Sequence, residues 1–170
     1  MFALDHLVVY PAQGVGVIER IDHKEINGIA CDFYVVRIRA NNITLLVPVQ
    51  NAANAGLLNL VTEAQAREIM ELLNGGAPER EVVPGQNWNR RFREYSRNLK
   101  STDLLEVANV LRELLLIGRS KDLSFGERRL LEQAMSLVSG ELAVVLATPE
   151  ESLREELLAR YAPAHVEETV

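Results

Sequence analysis

The chain has 170 residues, 48% hydrophobic and 25% charged, a composition that suits one globular domain or two small ones and excludes wholesale disorder. Its net charge of -6 argues against a protein that coats nucleic acid along its whole surface, because such binding rests on many phosphate neutralisations. No apolar run approaches the roughly 20 residues needed to cross a bilayer, one cysteine cannot close an internal disulfide, and no secretory leader opens the chain, so a cytosolic protein is expected.

The first third reads as β-structure. Leu7–Tyr10, Gly14–Ile21, Phe33–Ile38 and Ile43–Val49 are short runs rich in Val, Ile, Phe and Tyr. Turn residues separate them: Pro11 and Gly14, then Asn27-Gly28, then Asn41-Asn42. The pattern predicts a small twisted antiparallel sheet or barrel, and so little chain gains from covering or pairing its edges.

Beyond Ala52 the apolar period changes from two to about 3.6. Thr62-Glu63-Ala64-Gln65 carries a reciprocal capping signature, and Gly75 is placed to end the helix it opens. The glycines and prolines of residues 75–86 predict a loop. A helix near Asn87 follows, with Trp88, Phe92, Tyr95 and Leu99 as its apolar stripe. Ser101–Asp103 predicts the next cap; Leu104, Val107, Ala108, Leu111, Leu114 and Leu115 give the stripe behind it, and Gly118 its end. Ser124-Phe125-Gly126-Glu127 is a second capping box before Leu130, Leu131, Ala134, Leu137 and Val138. In Thr148-Pro149-Glu150-Glu151, proline suits a first helical turn and the glutamates suit the positive end of the dipole. The fold class is therefore α+β, a β-module at residues 1–60 followed by a helical bundle at 61–170.

Catalytic signatures are weak. His6, His23 and His165 have neither an i, i+4 partner nor a neighbouring cysteine, which argues against a metal site. Gly14-Val15-Gly16 lacks the Lys-Ser/Thr pair and the helix of a phosphate loop and reads as a strand connection. Cys31 reads as a small buried hydrophobe. No catalytic residue and no cofactor is expected. Phe2, Tyr10, Phe33 and Tyr34 suggest either an aromatic cage for a methylated cation or ordinary barrel core.

One segment stands apart. From Pro84 to Lys100, Arg90, Arg91, Arg93, Arg97 and Lys100 face Glu94 alone, with the single tryptophan, Trp88, at the expected helix start. Arginines and helix-start amides hold phosphates, and a flat apolar ring can wedge at opened base steps. The same spacing suits core packing for Trp88, so both readings stand at this point.

Val8-Val9-Tyr10-Pro11-Ala12-Gln13-Gly14-Val15-Gly16, Phe33–Ile38 and Thr44–Pro48 resemble the opening module of the CarD/CdnL transcription regulators. Trp88–Tyr95, Glu106–Leu114 and Lys121–Arg128 are similar to that family's helical motifs in matching order. The resemblance implies a Tudor-like module that binds the β subunit of bacterial RNA polymerase, and a helical domain that contacts promoter DNA beside the bubble with low sequence specificity. It implies Trp88 as a wedge, Arg90 and Arg93 as backbone contacts and Arg91 as a weaker DNA-binding candidate. Lys24, Ile26 and Leu46 fall at polymerase-binding positions, with Leu46 where some relatives carry a basic residue. A related module occurs in the transcription-repair coupling helicase, but no Walker-type loop follows here. A monomer is expected, with no membrane partner.

Overall fold

The computed structural model describes residues 2–76 and 88–162; the side chain of Trp88 and most of the expected 75–86 loop lie outside the described residues. Four strands come first: β1 (Leu7–Tyr10), β2 (Gly14–Ile26), β3 (Ile29–Ile38) and β4 (Thr44–Pro48), in an antiparallel sheet of order β1-β2-β3-β4. Among the described residues five α-helices follow: α1 (Glu63–Glu71), α2 (Trp88–Asn98), α3 (Leu104–Ser120), α4 (Phe125–Val145) and α5 (Glu150–Arg160). The architecture is the expected α+β arrangement, a Tudor-like curled sheet followed by helices.

The β2–β3 hairpin is longer than its apolar residues suggest. Asn27 and Gly28 both take positive φ, 53° and 79°, as a two-residue hairpin turn with the right twist requires. Pairing runs from that turn through Ile26–Ile29, Lys24–Cys31 and Asp22–Phe33. Main-chain bonds carry this ladder, so the polar stretch Asp22–Glu25 extends the strand without an apolar side chain of its own. The core face of the sheet holds Val8, Ile18, Tyr34, Val36, Ile38 and Val47, closed by Ala52 and Leu57. The β1 edge is covered: Val9 N–H donates to the Leu58 carbonyl at 2.7 Å, and Leu58 N–H returns a bond to Val9 at 3.0 Å. Gly16 lies where a Cβ would fall 2.7 Å from Val36 Cγ1, so it serves close strand packing.

Both capping boxes form. Thr62 Oγ1 accepts from Gln65 N–H at 3.2 Å while Gln65 Oε1 accepts from Thr62 N–H at 2.9 Å, and Ser124 and Glu127 repeat the exchange. Asp103 caps α3 by accepting from Leu105 N–H. The helical core joins Ile69 and Leu73 with Leu111 and Leu114 of α3, Val138 and Leu142 of α4, and Leu157 of α5. Tyr161 donates its hydroxyl to the Leu73 carbonyl, tying the end of α5 to the turn after α1. Gly75, at φ 92°, ends the α1 segment as expected.

Four expectations are corrected. Helix α3 passes through Gly118 to Ser120 and is closed where Lys121 N–H donates to the Ile117 carbonyl. Pro149 is the residue before α5, with ψ 132°, rather than a member of its first turn. Phe92 is 40% exposed, because α2 meets the bundle through Tyr95 and, just past its end, Leu99. Cys31 is only half-buried, since it lies on the sheet face opposite the core.

Candidate nucleic-acid and polymerase surfaces

Helix α2 carries four arginines against one glutamate, and helical geometry sorts them. At about 100° per residue, Arg90, Arg93 and Arg97 fall within roughly 60° of one another. With Asn89 and Glu94 they line an open basin of about 700 Å³, and all five are exposed. Arg91 projects about 100° away from Arg90. It is half-buried, one turn before Tyr95, whose ring is 3% exposed and whose phenol donates to Glu113 of α3. Burial and Glu113 push that phenol well above its ordinary range, while Arg91 pulls it the other way. The structure thus brings Arg90 and Arg93 together on an outward face and turns Arg91 toward the bundle. Trp88 begins α2 by its backbone position.

On the β-module, Lys24, Ile26 and Leu46 share one face through a single irregularity. Ile18 pairs with core-facing Val36, but Arg20 pairs with Val35, so Glu19 is an extra residue in β2. An extra residue reverses the in–out phase of everything beyond it. Without the bulge, Lys24 and Ile26 would point to the same side as Ile18. With it, they join Cys31, Phe33 and Ile29 of β3, and Leu46 and Pro48 of β4, on the side away from the core. Ile26, Ile29 and Leu46 are 47%, 67% and 46% exposed there, an apolar strip with Lys24 beside it. The rows of Lys24 and Leu46 are four residues apart along β3, about 13 Å. Sequence reading did not single out Ile29, although the Asn27-Gly28 turn places it opposite Ile26.

The aromatic cage does not assemble. Tyr34 is 1% exposed and its hydroxyl accepts from Phe2 N–H at 2.9 Å, so it belongs to the core. Phe33, its neighbour in the strand, points to the other face. Phe125 is 82% exposed in the first turn of α4, an apolar surface group that the capping signature did not reveal. Among the described residues, no cluster of acidic, histidine or cysteine side chains could hold a metal ion, and no helix is long and apolar enough to cross a membrane.

Comparison with known proteins gives the class in which this small curled sheet is followed by a helical unit, that of the transcription regulators. Residues 2–60 match the CarD-like/TRCF RID domain, and residues 65–158 match the CarD C-terminal domain. The chain belongs to the CarD family of transcription regulators, and it is not an enzyme. It is 26% identical over 154 residues to the Bacillus subtilis (strain 168) protein named "Putative transcription factor YdeB", spanning 91% of this chain and 98% of that one.

Proposed function

We propose that residues 1–60 dock on the β subunit of bacterial RNA polymerase and that residues 61–170 hold promoter DNA at the upstream edge of the transcription bubble, stabilising the open complex. The observation that carries this reading is the row of Arg90, Arg93 and Arg97 on one exposed face of α2, in a protein whose net charge is -6. A few phosphate contacts give weak free binding, and a polymerase tether supplies the effective concentration that extra positive charge would otherwise provide. Phosphate contacts carry no base information, so sequence specificity is low. Arg91 contributes to the field of α2 from its inner side.

Lys24, Ile26 and Leu46 form the polymerase surface in this reading. Leu46 adds apolar contact where a basic residue would add an ion pair, and β4, which among the described residues pairs only with β3, can add main-chain bonds at its free edge. Trp88, at the start of the arginine helix, acts as the wedge that senses opened base steps. Such a sensor is required, because a ligand that binds closed and open complexes equally shifts neither.

The test is the lifetime of open complexes on a ribosomal-type promoter with cognate polymerase, with and without the protein. Wild type lengthens the lifetime and Trp88→Ala, verified as folded, does not. No lengthening by wild type removes the proposal; lengthening that survives Trp88→Ala removes the wedge.

A further inference from the structure

Two surfaces on separate modules act together only if the joint between the modules keeps them in register with their targets. The joint here is residues 58–62, and it is bonded at both ends. Leu58 N–H is bonded to Val9, Thr62 N–H to Gln65, and Asn59 pairs with the His6 ring at 2.9 Å. Val61 N–H reaches across to α4 and donates to Glu141 Oε2 at 2.8 Å.

Glu141 is an unusual residue for that place. It is 4% exposed and borders a cavity of about 50 Å³ whose walls include Val9 and Pro11 of the β-module and Leu99, Leu104 and Leu137 of the helical one. Burial pushes its carboxyl above the usual carboxylate range, with the Val61 N–H acting against that. An apolar side chain would cost less to bury. It could not accept the Val61 N–H, the bond that ties the joint to α4. Elsewhere α4 lies against the β-module without a bond of that kind at Gly14, where Leu137 Cδ2 stands 3.5 Å from where a Cβ would be and so packs over the bare backbone. Such contact resists separation better than sliding, because it is not directional.

We infer that Glu141 is a positioning residue: by accepting the Val61 N–H where the joint enters the helical module, it pins the joint to α4 and so holds the arginine face of α2 and the outer face of the sheet in one fixed relation. The functional consequence rests on the proposed roles of those faces; the geometric claim does not.

The test separates the two. Spin labels at Glu25→Cys and Glu155→Cys, both exposed positions, in a Cys31→Ser background report the distance between the modules in the full chain. Wild type and Glu141→Gln, which keeps an acceptor oxygen, give one narrow distribution. Glu141→Ala, verified as folded by its circular dichroism, gives a distribution at least about twofold broader, and its effect on open-complex lifetime falls by roughly tenfold as effective concentration is lost. A narrow distribution in Glu141→Ala overturns the inference, as does failure of Glu141→Gln to restore it. If Glu141→Ala broadens the distances but wild type never lengthens open complexes, the joint stands and the proposed function falls.

Discussion

Replacing Arg93 by glutamine keeps a polar, though shorter, side chain and removes one charge from the centre of the α2 row. If Arg90, Arg93 and Arg97 each neutralise one phosphate, the salt dependence of binding to free duplex has a slope of about -2.7 in log K against log salt, at about 0.9 per contact. A fourfold rise in salt, as from 50 to 200 mM, then weakens wild type about fortyfold. Arg93→Gln, with two contacts, has a slope of about -1.8 and weakens about twelvefold over the same range. Fluorescence anisotropy with a labelled promoter-length duplex across a salt series measures both slopes. Arg91→Gln, on the inner side of the helix, changes the slope less than Arg93→Gln does. Equal slopes for wild type and Arg93→Gln would refute the assignment of that face. A larger loss of slope at Arg91 would reverse the assignment of the two sides of α2.

Two further predictions address the other surface and the fold. Ile29→Glu or Leu46→Glu places a charge on the outer face of the sheet, where the native side chains are 67% and 46% exposed. Each abolishes capture of a polymerase β-subunit fragment with a melting temperature close to wild type; unchanged capture by both would exclude this face. Glu127→Gln tests pH-dependent stability. Glu127 is 2% exposed, and although burial alone would raise its pKa, bonds from Ser124 and from Lys121 Nζ at 3.1 Å bring it below the ordinary 4.5. A lowered folded-state pKa stabilises the fold above about pH 4.5 and loses that contribution as pH falls through the folded value. Glu127→Gln is therefore less stable than wild type at neutral pH, and the gap closes in acid. Urea titrations at pH 7 and pH 3.5 measure it, and a gap that widens in acid contradicts the assignment.

Short-range chemistry made much of this protein legible from its residues. Capping boxes at Thr62–Gln65 and Ser124–Glu127 need only residues three apart, and the Asn27-Gly28 hairpin only two tolerant of positive φ. The alignment of Arg90, Arg93 and Arg97 likewise follows from helical period alone. What tertiary structure decided is which way these local features face. The docking of α2 on α3 through Tyr95 turned Arg91 inward and left Phe92 40% exposed, a choice that periodicity cannot make because both stripes are helical. One extra residue in β2, Glu19, moved Lys24 and Ile26 to the face that carries Ile29 and Leu46, and its place is set by pairing with β3. The burial of Glu141 depends on a partner 80 residues away, Val61, which no local pattern could supply.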